Sequence, residues 1–261
     1  MNTIINDLRI PLSEASEVVI LSGAGLSADS GIPTFRDGAT GLWANIDPDE
    51  VVSVGGFERD PEKVWAWHTS MRDLFAAVKP NAGHEGIAAL ERLLPKARVT
   101  VITQNIDGLH KAAGSSRVLE IHGSVLRVRC HRHCGFSDSW PVGQAGIRQC
   151  PLCGAPARPD VVWFGETLDS DLISMAADIS HRASVFFSVG TSSVIQPAAS
   201  LPMLAKEGGA LIVEVNPHET VLSEDADYSV RAGASQFFPE LSEALAHPGF
   251  WSYVPTLLTR F

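Results

Sequence analysis

The chain has 261 residues, 45% of them hydrophobic and 19% charged, a globular composition that excludes a disordered or fibrous protein. Thirty Asp and Glu outweigh twenty Lys and Arg, and the net charge of −10 argues against direct binding to nucleic acid or an anionic membrane. The start, MNTIINDLRIPLSEASE, has no cationic segment followed by an apolar one, and no run approaches the roughly 18 apolar residues of a membrane span, so a cytoplasmic chain is expected.

Short apolar, β-branched runs at 18–22, 99–103, 118–121, 185–189 and 211–215 alternate with helical patterns. Buried strands in such alternation predict an α/β fold with a parallel sheet. A helix is predicted over 61–78, opened by Asp60 with Pro61 at its first position, and another over 169–181, opened by acidic residues that suit a helix N-terminus. A third, over 239–247, is expected to cover one sheet face. Residues 37–60 show little periodicity and read as an irregular flap beside a ligand or as a surface excursion. Between Cys130 and Pro159 aliphatic residues give way to Cys, His, Gly and Pro, a texture that cannot build its own core and reads as an inserted, metal-stapled module. The expected division is a discontinuous Rossmann-like domain (1–36, 98–126 and 160–261), a cofactor loop with the helical part of a small domain (37–97), and the metal module (127–159).

The first strand runs into SGAGLSADSG, where Gly23, Gly25 and Ala28 make a GxGxxA pattern. Small residues there let the backbone turn tightly and approach a pyrophosphate, although a tight strand-to-helix turn without ligand has the same pattern. A dehydrogenase would place an acidic residue about 20 positions on to hold a ribose. Here that region is the flap, and Glu214 and Asn216 at the end of LIVEVN are the candidates for the task. Phe35 and Arg36 follow the turn, an aromatic to wall off a ring and a cation to pair with phosphate.

Further along, VTVIT delivers Gln104, Asn105, Asp107 and His110 at a strand's C-terminal end, where open α/β sheets bind ligands. Asp107 also suits the cap of a helix starting near Gly108. The strand VLEI ends beside His122, placed either for proton transfer or as a structural histidine. Cys130-x3-Cys134 and Cys150-x2-Cys153, with fifteen residues between the pairs, suit a closed tetrahedral zinc site, with His131 or His133 as possible replacements for one thiolate. RPDVVWFGE reads as an extended stretch able to pair with an added peptide strand, or as a plain core strand. VFFSVG leads to Thr191 and Ser192, so several strands end in small polar residues at one sheet edge.

These runs, GAGLSADSGIPTFRD, TQNIDGLH, EIHGS, the cysteine pairs, RPDVVWFGE, GTSS and VEVNP, resemble the sirtuin family in order and across nearly the whole chain. That resemblance implies NAD-dependent protein lysine deacylation, with NAD as a consumed co-substrate, a structural zinc ion, and acyl-lysine proteins or peptides as partners of a monomer. It implies that His122 is the general base on a ribose hydroxyl, that Asn105 and Asp107 order the ribose and a water, that Phe35 shields the reactive sugar, and that Arg36 supports phosphate and flap. Gly23, Ala24, Gly25, Gln104, Gly190, Thr191, Ser192, Asn216 and Ala234 match dinucleotide-contacting positions. Val161, Phe164, Gly165 and Glu166 match the peptide-pairing strand.

Desuccinylating members resemble one another in a Tyr and an Arg three residues apart on the helix after the flap. His68 and Met71 stand at those positions here, so acetyl and longer neutral acyl groups are expected over succinyl or malonyl, unless Arg72 swings into the pocket. Asp160 replaces a His common in similar sequences and Gln196 an aromatic. Within the same resemblance, mono-ADP-ribosyl transfer from the same NAD site is the alternative activity.

Overall fold

A computed structural model describes residues 1–34, 46–146, 148–247 and 249. In chain order the helices are α1 (Asn2–Asp7), α2 (Arg9–Glu14), α3 (Ala24–Ser27), α4 (Pro48–Val51), α5 (Val54–Arg59), α6 (Pro61–Ala77), α7 (Ala82–Leu93), α8 (Leu109–Ala112), α9 (Ser170–His181), α10 (Leu201–Glu207) and α11 (Ala234–Ala246). The strands are β1 (Glu17–Ser22), β2 (Arg98–Thr103), β3 (Val118–Glu120), β4 (Gly123–Cys130), β5 (Ser137–Ser139), β6 (Ala157–Val161), β7 (Val185–Val189), β8 (Leu211–Val215) and β9 (Tyr228–Val230). No helix among the described residues is long and apolar enough to cross a membrane.

Six strands pair in parallel in the order β3-β2-β1-β7-β8-β9. Renumbered within that sheet, the order is the 3-2-1-4-5-6 of a doubly wound Rossmann sheet, so the fold is α/β as the alternating runs predict. The strands are apolar on both faces because helices cover both. Val18 and Ile20 pack with Ile87, Leu90, Phe237, Phe238 and Leu241 from α7 and α11, while Val19 and Leu21 face Ala176, Leu201 and Ala205 from α9 and α10. Strand order reverses between β1 and β7, and ligands of such sheets sit beyond the carboxyl ends at that point.

A second, antiparallel sheet runs β5-β4-β6. Its apolar face joins α4, α5 and α6 in a core of Val51, Phe57, Val64, Trp65, Phe75, Val125, Val128, Trp140 and Trp163.

Three local expectations are corrected. Residues 48–59, read as irregular, form two short helices whose N-caps are self-contained: Asp47 accepts the Asp49 N–H at 3.0 Å and Ser53 the Gly56 N–H at 2.9 Å. The last helix begins at Ala234, not at Pro239, because burying Phe237 and Phe238 outweighs the preference of proline for the first helical position. Residues 82–93, grouped by sequence with the small domain, pack through Ile87 and Leu90 on the main sheet.

Candidate active site

The carboxyl ends of the parallel strands surround a cavity of about 1370 Å³. Its wall includes Gly23, Ala24, Gly25 and Ala28 after β1, Gln104 and Asn105 after β2, and His122 after β3. From the other half of the sheet come Gly190, Thr191 and Ser192 after β7, Asn216 after β8, and Ala234 after β9. Residues that the sequence scatters over more than 200 positions thus share one rim.

Backbone contact between two loops builds the switch point. The Gly23 N–H donates to the Val189 carbonyl at 3.0 Å and the Gly25 N–H to the Gly190 carbonyl at 2.8 Å. A Cβ at Gly23 or Gly25 would lie 2.8 Å from the Gly190 oxygen, and Gly190 itself has a φ of +58°. Only residues without a side chain allow this approach.

Side-chain bonds then fix the polar wall. Gln104 Nε2 donates to Thr191 Oγ1 at 3.1 Å, and Asn216 Nδ2 to the Thr191 carbonyl at 3.0 Å. Asn105 Nδ2 lies 3.1 Å from both the Gly23 carbonyl and Ser27 Oγ, while its own N–H reaches Thr103 Oγ1 at 3.0 Å. Beneath it, Ser22 Oγ joins Thr103 Oγ1 (2.8 Å) to His110 Nε2 (2.7 Å).

His122 is oriented by one bond. Its Nδ1–H donates to the Gln104 carbonyl at 3.0 Å, which puts the lone pair on Nε2, and no described side chain occupies that nitrogen. Burial lowers its pKa below the ordinary 6.5, opposed by the bond to Gln104, so the ring is neutral at neutral pH and able to take a proton.

Other expected site residues lie elsewhere. Asp107 is not on the cavity wall: Oδ2 accepts the Ser27 hydroxyl at 2.7 Å and Oδ1 accepts the Leu109 N–H at the start of α8 at 2.9 Å, with burial raising its pKa. Glu214 is consumed by Thr220, Ser223 and Arg231 and does not face the cavity, whereas Asn216 does. His68 is wholly buried, with Nδ1–H donating to the Val64 carbonyl at 2.9 Å and Nε2 accepting the Trp163 indole N–H at 3.2 Å. Burial pushes its pKa down to about 4. Met71 packs against the small-domain core, and neither residue is on the wall, which Trp67 reaches from the same helix. Val161, Phe164, Gly165 and Glu166 do line the cavity. Phe35 and Arg36 lie outside the described residues.

Arg72 does not enter the pocket either. It is 2% exposed, donates to the Pro141 and Gln144 carbonyls at 3.0 and 2.9 Å, and stacks 4.2 Å from the Trp140 ring centre. Trp67 and Trp163 carry no sequence signal that separates a cavity wall from a core.

Four sulfur atoms, of Cys130, Cys134, Cys150 and Cys153, lie within 4.8 Å of one another, with Cys130–Cys153 at 3.5 Å and Cys134–Cys150 at 3.4 Å. Thiolates about 2.3 Å from a tetrahedral zinc ion stand about 3.8 Å apart, so this set fits one structural ion. His131 stays out of the cluster, its ring 5.1 Å from that of Phe57.

The pattern of the Sir2 family matches residues 23–197. The chain belongs to the Sir2 family. It is 45% identical over 239 residues to an NAD-dependent protein deacylase 1 of Caldanaerobacter subterraneus, covering 90% of this chain and 97% of that one. It is 47% identical over 234 residues to an NAD-dependent protein deacylase of Mycobacterium tuberculosis, covering 87% and 97%. Among solved structures, a Sir2 homolog–NAD complex superposes with a TM-score of 0.83 at 41% identity over 92% of this chain and 93% of the other. For this member of the Sir2 family, the GxGxxA turn and His122 therefore fall inside the matched segment, as do all four cysteines.

Proposed function

We propose that this Sir2-family chain is an NAD-dependent protein lysine deacylase that prefers acetyl and longer neutral acyl groups to succinyl or malonyl. The carrying observation is the neutral His122 with a free Nε2 on the same wall as the glycine turn and Asn105. The activity rests also on similarity: the relatives bear that activity as their name, and a Sir2 homolog was solved with NAD.

In this reading NAD lies across the switch point with its pyrophosphate against Gly23, Ala24, Gly25 and Ala28, and its sugars among Gln104, Thr191, Ser192, Asn216 and Ala234. Backbone groups suit that task, since they reach phosphate closely where no Cβ intervenes. Phe35 shields the reactive sugar and Arg36 supports the phosphates. Asn105, fixed by its bonds to Gly23 and Ser27, holds the nicotinamide-side ribose at a set angle. Asp107 acts through Ser27 rather than by touching the sugar. Once the acyl-lysine carbonyl oxygen has displaced nicotinamide from the ribose, His122 Nε2 takes the proton of a ribose hydroxyl, that hydroxyl oxygen bonds to the acyl carbon, and a water molecule adds as the acyl C–N bond breaks, leaving free lysine and acylated ADP-ribose. The four cysteines hold zinc away from the cavity, and the ion supplies only a fold for the module.

The acyl preference is supported by charge. Among the described residues the cavity wall carries no Lys or Arg, while it carries Asp29, Glu166 and Glu219. An acyl carboxylate buried there would lose hydration without gaining a counter-ion. His68 is neutral and already bonded, and Arg72 is bound elsewhere. The proposal is of a monomer acting in the cytoplasm on acyl-lysine proteins. Incubation with NAD and acetyl, butyryl, myristoyl and succinyl peptides, read by mass, should show the neutral groups removed first. Equal turnover of succinyl and acetyl peptides would reject the preference.

A further inference from the structure

The wall segment 161–166 is held by an arginine that does not itself face the cavity. Arg158, the second residue of β6, has no exposed surface. Its Nη1 and Nη2 donate in parallel to Glu166 Oε1 (2.6 Å) and Oε2 (2.9 Å), and Nη2 also donates to the Val161 carbonyl at 2.6 Å. Its Cζ stacks 3.2 Å from the Trp163 ring centre. Glu166 Oε2 returns to the same segment by accepting the Trp163 N–H at 2.8 Å, and the Trp163 indole N–H is held by His68. One guanidinium therefore fixes the start, the middle and the end of a six-residue run.

The clamp is braced from outside. Arg129 reaches Glu166 Oε2 at 3.2 Å and Asp160 Oδ1 at 3.7 Å, Asp160 Oδ2 accepts from Arg127 Nε at 2.9 Å, and Glu120 joins Arg127 to Lys111. Charges alternate without a gap from the edge of the main sheet to the cavity wall. Asp160 is explained by this ladder: an anion between two arginines, where a neutral imidazole would cut the link and leave Arg127 with Glu120 alone and Arg129 with Glu166 alone.

We propose that Arg158 is a positioning residue for the protein substrate, acting through Glu166 and Trp163 to hold 161–166 in the shape that receives the acyl-lysine segment. This rests on the reading that the segment is the peptide wall. A planar, bidentate, stacking group is required, and lysine offers only a point charge.

The test uses the full chain with zinc bound, comparing wild type with Arg158→Lys, Arg158→Met and Glu166→Gln. Binding of a fluorescent acetyl-lysine peptide and of NAD is measured separately, with zinc content and circular dichroism as checks on folding. All three variants should weaken peptide binding by about tenfold or more, Lys failing to rescue. Both Arg158 variants should keep NAD affinity within about twofold. In turnover the loss should fall on KM for peptide rather than on KM for NAD. Wild-type peptide affinity in the two conservative variants, Arg158→Lys, which keeps the charge, and Glu166→Gln, which keeps the shape, would overturn the clamp, as would parallel loss of NAD and peptide in the Arg158 variants. If Arg158→Met does not fold, these two variants decide alone. A wild-type chain that binds no acyl-lysine peptide would sink the underlying reading and the clamp together, whereas tight wild-type binding with indifferent variants would sink the clamp only.

Discussion

Replacing Gly25 by alanine separates helix propensity from the fit of two loops. Gly25 lies in α3, where alanine should gain about 1 kcal/mol by propensity alone. Its Cβ, however, would stand 2.8 Å from the Gly190 oxygen and 2.9 Å from the Gly190 Cα, both backbone atoms that no rotamer change can move. Carbon and oxygen settle nearer 3.3 Å, so the loops must part by about half an ångström. Overpacking of that kind costs about 1–3 kcal/mol. The net loss of stability is then about 0–2 kcal/mol, a fall of at most about 8 °C in Tm for a chain of this size. NAD binding should suffer more, because the bond from the Gly25 N–H to the Gly190 carbonyl sets the spacing of the cradle. We expect Kd for NAD, by isothermal titration calorimetry, to rise by more than about tenfold in Gly25→Ala with the far-ultraviolet spectrum unchanged. A variant of raised Tm and full NAD affinity would refute the reasoning, since it would mean that the two loops do not meet as described.

The neutral form of His122 is the working base and burial depresses its pKa, so the acid limb of kcat/KM should lie below pH 6.5; a limb above 7 would count against the assignment. His68, His84 and His110 are buried and neutral, with pKa values pushed down to about 4, 4 and 3. The unfolded chain binds protons at these groups from about pH 6.5 downward and the folded chain does not, so stability falls as pH falls. With all three groups engaged, urea denaturation between about pH 6 and 5 should show a loss approaching 4 kcal/mol per pH unit, and a flat profile would contradict their burial. Chelation of zinc should release about one ion per chain and lower Tm, with the loss of protection in hydrogen exchange concentrated in residues 123–161. Uniform loss across the main sheet would point away from a local structural ion.

Five of the six strands of the main sheet were legible because each run is short, β-branched and apolar on both faces, a pattern set by burial alone, whereas β9, three residues long at the sheet edge, is too short to display it. The cysteines were legible for a different reason: paired thiols at close spacing have few other uses inside cells. Helix α4 and helix α5 were not, since four- and six-residue helices are too short to display periodicity and are carried by caps. The family resemblance puts His68 at an acyl-pocket position, but its partner Trp163 is 95 positions away, and that bond holds it in the core. Asp107 reads in sequence as a ligand group or a cap, and its two oxygens meet the first N–H of α8 and Ser27, the latter 80 positions away in the chain. Asp160 had no meaning until Arg127 and Arg129 were seen on the neighbouring strand. Long-range partners decide the fate of such polar residues, and local sequence does not carry them.

The most direct measurement follows the atoms: the chain is incubated with NAD and an acetyl-lysine peptide, and all products are quantified by mass spectrometry. Nicotinamide, free-lysine peptide and acetylated ADP-ribose should appear in equal amounts, and His122→Ala should abolish all of them beyond any nicotinamide released without acyl transfer. Nicotinamide with the ADP-ribose retained on protein and the peptide still acetylated would contradict the account.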